Sequence, residues 1–146
     1  MRARDLAESA PVVRLTDPVS LALELISAGA PGVVVVDAEG SLVTVLPASQ
    51  VLALAVPSYL QADPVLARTW DEASADRFAA TARSQTVESA LPRRRAPSVV
   101  VQADDTALEI ALAMSGGHSP LVVVVDGSRL VGSISAQRLV TALLGT

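Results

Sequence analysis

The sequence predicts an α+β fold made of two copies of one strand-helix-strand-strand-helix unit, with a helical insert between them. A run of four valines that ends in aspartate occurs twice, at 33–37 and 122–126. Each run is followed by turn residues and a second apolar strand, which is typical of a β-hairpin because valine suits a pleated, buried strand. The flanking segments also align, at offsets of 87 to 89 residues that drift only in loops.

The first repeat begins where Pro11 leads into a short extended segment over 12–15. Thr16-Asp17-Pro18 then has the residue types of a helix start, with Thr16 or Asp17 able to accept a bond from a free amide. The apolar residues that follow recur at helical spacing and predict a largely buried helix over 18–28. After the first hairpin, a second helix is predicted over 48–56.

The second repeat has the same order of elements. An extended segment over 97–101 precedes a helix start at Asp104-Asp105-Thr106, and the second hairpin leads into a closing helix over 136–144. At an offset of 87 residues, Leu108, Ile110 and Leu112 align with Leu21, Leu23 and Leu25. Because each unit has a sheet face that it cannot cover alone, the two repeats are expected to pack about a pseudo-two-fold axis, with a ligand cleft between them.

Residues 57–96 differ from both repeats in character, and they contain the aromatic residues Tyr59, Trp70 and Phe78. Acidic helix starts predict helices over 64–69 and 72–83. We expect the aromatic side chains to anchor this insert onto the domain or onto a second copy.

A short helix over 86–91 resembles residues 2–8. The predicted division is therefore a first repeat over 1–56, an insert over 57–85 and a second repeat over 86–146.

The composition limits the classes of function. Hydrophobic residues make up 51% of the chain but aromatic residues only 2%, so the core must consist of valine, leucine and alanine. A net charge of -4 argues against nucleic acid as a partner, since a phosphate backbone selects a basic face. The chain has no cysteine, which excludes thiolate metal sites. No apolar run approaches the ~20 residues that span a bilayer, so we expect a cytoplasmic protein without membrane insertion.

The repeat resembles the cystathionine-β-synthase (CBS) domain, which usually occurs as a tandem pair called a Bateman module. The resemblance rests on the order of elements, on Val35-Val36-Asp37 and Val124-Val125-Asp126 before the turns, and on Gly132-Ser133-Ile134-Ser135. It implies that an adenosine-containing ligand such as AMP, ATP or S-adenosylmethionine binds between the repeats. It also implies a homodimer that relays ligand occupancy to a regulated enzyme or transporter.

The resemblance also suggests which residues hold the ligand. Family members write the motif as glycine, two apolar residues, Ser or Thr, two variable residues and Asp. Ser135 fits the hydroxyl that binds near the phosphate, but the position of the ribose-binding Asp is held by Arg138, which can only donate hydrogen bonds. In the first repeat, the glycine, hydroxyl and Asp positions hold Thr44, Pro47 and Gln50. The predicted site consists of Thr16, Asp17, Ser119, Pro120, Gly132, Ser133, Ser135 and Arg138.

Several charged residues have a plain interpretation beside a functional one. Arg138 can bind a phosphate or be a solvated residue on the last helix, and the run 93–95 can do the same from an exposed linker. His118, the only histidine, cannot form a transition-metal site alone and is expected at the surface near the cleft mouth.

No nucleophile, base and orienting group can be named together, so we do not expect an enzyme. The leading hypothesis is a stand-alone regulatory module that senses an adenosine-containing ligand, with the second repeat providing the better site. The alternative is a structural dimerisation or adaptor module that binds no ligand and uses the insert as its contact surface.

Overall fold

The computed structural model describes residues 1–57, 60, 62–69, 71–94 and 97–145. The first half contains α1 (Ala3–Leu6), β1 (Val12–Arg14), α2 (Val19–Ser27), β2 (Gly32–Val36), β3 (Leu42–Pro47) and α3 (Ala48–Ala55). The insert contains a 3-10 helix (Pro64–Thr69) and α4 (Glu72–Ser84). The second half contains α5 (Val87–Ala90), β4 (Val100–Gln102), α6 (Ala107–Gly117), β5 (Leu121–Asp126), β6 (Arg129–Ser135) and α7 (Ala136–Leu144).

The two valine runs are the central strands of two matching three-stranded sheets, with orders β1-β2-β3 and β4-β5-β6. In each sheet the first pair is parallel and the hairpin pair is antiparallel. The predicted α+β fold of two repeats is therefore confirmed. All four valines of each run are buried, because helices cover one face of the strand and the other sheet covers the opposite face.

Alternate valines of each central strand belong to different layers of the core. Val33 and Val35 face the helices of the first repeat, whereas Val34 and Val36 face the other sheet. The layer between the two sheets also contains Val45 from the first sheet and Leu121, Val123 and Val125 from the second. The period of two along a strand thus divides each valine run between a repeat core and the contact between repeats.

The two short helices α1 and α5 are exchanged between the repeats. Ala3 and Leu6 of α1 are buried in the core of the second repeat, and Val87 of α5 is buried in the core of the first. Backbone bonds fix both helices, since the Ala3 amide donates to the Asp105 carbonyl and the Val87 amide donates to the Asp17 carbonyl. Each repeat core is therefore completed by a segment that belongs, in sequence, to the other repeat.

The insert covers the helical face of the first repeat. Helix α4 packs against α2 and α3, Ala82 is buried, and Phe78 is partly buried against the core of that repeat. Phe78 therefore anchors the insert onto the domain, as predicted. Tyr59 and Trp70 lie outside the described residues.

The predicted capping of α2 is wrong, whereas the predicted start of α6 at Asp104-Asp105-Thr106 is confirmed. Helix α2 begins at Val19 with Pro18 at the N-cap and no side-chain cap, so neither Thr16 nor Asp17 caps it. The Asp17 carboxylate instead accepts a hydrogen bond from the Arg14 amide at 2.8 Å and closes the turn after β1. Asp105 accepts from the Gln102 amide in the same way, and Thr106 caps α6.

These N-caps also correct the alignment of the helices. Pro18 corresponds to Thr106, so the offset between α2 and α6 is 106 − 18 = 88 residues rather than 87. The bridges of Pro18 with Thr86 and of Thr106 with Arg2 support the same correspondence. The outer positions held by Leu108 and Leu112 in α6 are therefore held by Ser20 and Glu24 in α2.

Candidate functional site: two clefts between the repeats

Two clefts lie between the repeats, and each contains the β-strand to α-helix junction of one repeat. The second-repeat cleft, named for the junction of β6 and α7, has a volume of about 510 Å³. Its walls come from this junction, from the segment that precedes β1 and from the loop between α2 and β2. The polar lining residues are Glu8, Ser9, Ser133, Ser135 and Gln137.

The segment before β1 is fixed over the second-repeat cleft by backbone pairing. The Glu8 amide donates to the Ser133 carbonyl and the Ser133 amide donates to the Glu8 carbonyl, both at 2.9 Å. Gly132 makes this close approach possible, because a Cβ at this position would lie 2.4 Å from the Glu8 carbonyl oxygen. Glycine is therefore required at position 132, because the backbone of Glu8 lies directly against it.

Arg138 reaches the same segment with its side chain. Its Nε donates to the Leu6 carbonyl at 3.4 Å and lies 3.6 Å from Glu8 Oε1. Arg138 does not line the cleft, whereas Glu8 does. The arginine that replaces the motif aspartate thus holds an acidic residue of the N-terminal segment at the cleft.

The first-repeat cleft, named for the junction of β3 and α3, is smaller and different in charge. Its volume is about 270 Å³, and its walls include residues 97–99 and the loop 117–119. Arg94 from the linker and the exposed His118 also line it. His118 has a left-handed backbone, with φ +50°, and ends helix α6. His118 is thus exposed at a cleft, in agreement with the sequence prediction.

A hydrogen-bonded pair crosses between the repeats at the base of the first-repeat cleft. Ser98 Oγ accepts from the Val45 amide at 2.9 Å and lies 3.3 Å from the hydroxyl of Thr44, which is buried. Thr44 stands at the position of the motif glycine in this repeat. Its hydroxyl is already partnered by Ser98, so this departure from the motif serves the contact between repeats.

The two junctions also begin their helices differently. Ser135 caps α7, because its hydroxyl oxygen accepts a hydrogen bond from the Arg138 amide at 3.1 Å. Its hydrogen remains available to a ligand oxygen, since a hydroxyl can donate while it accepts. In the first repeat Pro47 occupies this position and provides no side-chain cap.

The structure brings together part of the predicted site. Ser133, Ser135 and Pro120 line the second-repeat cleft, and Gly132 and Arg138 lie directly behind it. Ser119 lines the first-repeat cleft, where its hydroxyl donates to the Leu121 carbonyl at 2.6 Å. Thr16 and Asp17 line neither cleft.

Sequence reasoning missed Glu8 and Ser9 as cleft residues, and it missed Ser98. The similarity between residues 2–8 and 86–91 was the available signal. These two stretches are the segments exchanged between the repeats, and the residues at or after the end of each stretch line one of the two clefts.

The described part of the chain contains no group of three acidic, histidine or cysteine side chains placed to hold a metal ion. None of the helices described here combines the length and the apolar character needed to cross a membrane.

The chain is thus a tandem repeat module, in which two sheet-and-helix repeats form two clefts between them. A family model described as the CBS domain matches residues 87–145. A CBS domain-containing protein of unknown function from Kribbella flavida DSM 17836 is 44% identical to this chain, with a TM-score of 0.82 and coverage of 99% of both chains. The chain belongs to the CBS domain family.

More distant solved structures share the fold. The CBS domain of a CBS domain-containing membrane protein from Sphaerobacter thermophilus is 23% identical, with a TM-score of 0.71 over 97% of this chain and 86% of the other. CBSX2, solved in complex with AMP, is 21% identical, with a TM-score of 0.67 over 99% of this chain and 96% of the other. No curated protein matches this chain.

Proposed function

We propose that this chain is a regulatory module that binds an adenosine-containing ligand, such as AMP or ATP, in the second-repeat cleft and relays its occupancy to a partner protein. The observation that carries the proposal is the cleft of about 510 Å³ whose walls come from both repeats. A ligand held by both walls stabilises one arrangement of the repeats, which is how occupancy becomes readable by a partner. The AMP complex of CBSX2 supports the ligand class.

The Glu8 carboxylate offers the acceptor that Arg138 cannot provide. A ribose presents two hydroxyl donors, and a carboxylate accepts from both. The backbone of Glu8 is fixed by its pairing with Ser133, and Arg138 lies on one side of the carboxylate. We assign ribose recognition to Glu8, with Arg138 as the residue that positions it. The Ser135 hydroxyl stands at the motif position that binds near the phosphate.

Calorimetric titration of the purified protein with AMP, ATP and S-adenosylmethionine tests this function. We expect saturable binding of at least one of these ligands, and substitution Glu8→Gln should weaken it about ten- to hundredfold. The expected loss follows from a hydrogen bond to a charged group, which contributes roughly 1.5–3 kcal/mol. Glu39→Gln, in the exposed turn of the first hairpin, is the matched control and should bind as the wild type does.

The role of Glu8 is separable from the function itself. A 2′,3′-dideoxy analogue of the ligand should bind wild-type protein and the Glu8→Gln variant equally, because the analogue has no ribose hydroxyls. If Glu8→Gln binds the natural ligand as tightly as the wild type does, the assignment to Glu8 is wrong. If folded wild-type protein binds none of the ligands, the sensing function is wrong.

The alternative function is a structural dimerisation module that binds no ligand. The observation in its favour is an exposed apolar face on α6 and α7, where Leu108, Leu112 and Leu144 are 73%, 75% and 72% exposed.

A further inference from the structure

The second-repeat cleft has an acidic residue on its lining and no basic one. Among the described residues, Glu8 is the only charged residue that lines it, and the other polar side chains there are uncharged. Arg138 lies nearby, but its Nε contacts the Leu6 carbonyl and the Glu8 carboxylate, and the residue is not part of the lining. Both side chains of this ion pair are substantially exposed, so solvent screens the pair and Arg138 offsets the charge of Glu8 only in part.

The start of α7, which borders the same cleft, has little left to offer an anion. Amides at a helix N-terminus attract anions because they have no partner within the helix. Here the Ala136 amide donates to the Pro120 carbonyl at 2.9 Å, and the Arg138 amide donates to the Ser135 hydroxyl at 3.1 Å. Of the first three amides of α7, the described chain leaves only that of Gln137 open to a ligand.

The first-repeat cleft has the opposite character. Arg94 and His118 line it, and no acidic residue of the described chain does. The same fold thus forms one cleft with a basic residue on its lining and one with an acidic residue. The missing cation is therefore a property of the second-repeat cleft, and not of the way in which two such repeats form clefts.

We propose that the second-repeat cleft selects, among adenosine-containing ligands, those whose 5′ substituent carries no negative charge. The inference rests on the proposed function and narrows its ligand class: the cleft binds adenosine more tightly than AMP, and AMP more tightly than ATP. The ribose hydroxyls are common to all three ligands, so a contact of Glu8 with the ribose does not distinguish them. Each phosphate instead brings negative charge toward Glu8, and the described lining supplies no cation to stabilise it.

Competition calorimetry on the purified protein tests this ranking within one cleft. Adenosine is titrated alone and then in the presence of AMP or ATP, so that the affinity of each competitor is measured at the adenosine site. At about 20 mM salt we expect the dissociation constant of AMP to exceed that of adenosine at least about tenfold. Raising the salt to about 300 mM should reduce this ratio, because screening weakens the repulsion between phosphate and carboxylate.

Two variants change the charge of the cleft. Glu8→Gln weakens all three ligands through the lost ribose contact, but it also removes the charge that opposes a phosphate, so the ratio of the AMP and adenosine dissociation constants should fall at least about threefold. Gln137→Arg adds a cation at an exposed lining position and should lower the same ratio about tenfold. The matched controls are Glu39→Gln and Ser49→Arg, the second at the exposed counterpart of Gln137 in the first repeat, and both should keep the wild-type ratio.

The inference is overturned if AMP binds the adenosine site as tightly as adenosine does, or if either cleft variant is folded and keeps the wild-type ratio. It is also overturned if adenosine fails to bind where another adenosine-containing ligand binds. The proposed function survives these outcomes, since a ligand of its class still binds. If adenosine, AMP, ATP and S-adenosylmethionine all fail to bind folded protein, the proposed function is wrong and the inference fails with it.

Discussion

Substituting Gly132 by alanine should release the N-terminal segment from the second repeat. The added Cβ would lie 2.4 Å from the Glu8 carbonyl oxygen and 3.3 Å from Ala7 Cβ. The first of these contacts is with a backbone oxygen, so the movement of a flexible side chain cannot relieve it. We expect the pairing of Glu8 with Ser133, two bonds of 2.9 Å, to break or stretch.

The cost can be worked from these contacts. Overpacking of a tight site costs roughly 1–3 kcal/mol, and each lost backbone bond adds about 1 kcal/mol. With both bonds lost, we therefore expect Gly132→Ala to lower the free energy of unfolding by about 3–5 kcal/mol, a large fraction of the ~5–15 kcal/mol typical of a domain. If the segment detaches, Leu6 also leaves the core of the second repeat, which places the loss at the upper end.

Urea denaturation followed by circular dichroism measures the loss, and hydrogen exchange locates it. The amides of Ala3, Arg4 and Glu8 donate to carbonyls of the second repeat and should exchange faster in the variant. Gly116→Ala is the matched control, because a Cβ there meets nothing within 4 Å and alanine favours the helix. Unchanged stability together with unchanged exchange of these three amides would show that the carbonyl contact does not require glycine.

Three further predictions concern the core, the contact between repeats and pH. Ile110→Ala should lower the free energy of unfolding by roughly 2–5 kcal/mol in denaturant titration, because Ile110 is fully buried and its removal leaves a cavity. Ser98→Ala should cost about 1–3 kcal/mol in the same titration, since the part-buried Val45 amide loses its acceptor; a cost below experimental error would count against this link between repeats. The Asp71 pKa lies below its ordinary value of 3.8 because the Ser74 amide and hydroxyl donate to the carboxylate. This cap of α4 therefore stabilises fully above pH 3.8 and is lost as the pH falls through the lower folded pKa. The difference in Tm between wild type and Asp71→Ala should accordingly be present at pH 7 and shrink below pH 3.8, and a constant difference would contradict this assignment.

The repeat and most element positions were predictable because local signals record them. The valine runs, the turn residues and the helical periodicity each depend on neighbours within a few residues. The helices predicted over 64–69 and 72–83 appear as a 3-10 helix over Pro64–Thr69 and as α4 over Glu72–Ser84. Local periodicity also allowed the error of one residue between α2 and α6, since α2 is apolar on most of its surface and aligns well at either offset.

The missed contacts of the candidate site depend on distant partners. The error at Asp17 is different, because its carboxylate accepts a hydrogen bond from the Arg14 amide, only three residues earlier. A ligand phosphate was considered as a partner of Arg138. In the structure its side chain instead contacts the Leu6 carbonyl and the Glu8 carboxylate, about 130 residues earlier in the chain. No local pattern states which distant segment a side chain will meet.

The exchange of α1 and α5 means that neither repeat is a self-sufficient folding unit. A fragment cut from either half carries the helix that fills the other half's core and lacks the helix that fills its own. Severing the chain between α4 and α5, after residue 85, should therefore leave two pieces that bind each other, whereas each piece made alone would lack the helix that fills its core. The halves depend on each other in the way that complementary fragments of a single protein do.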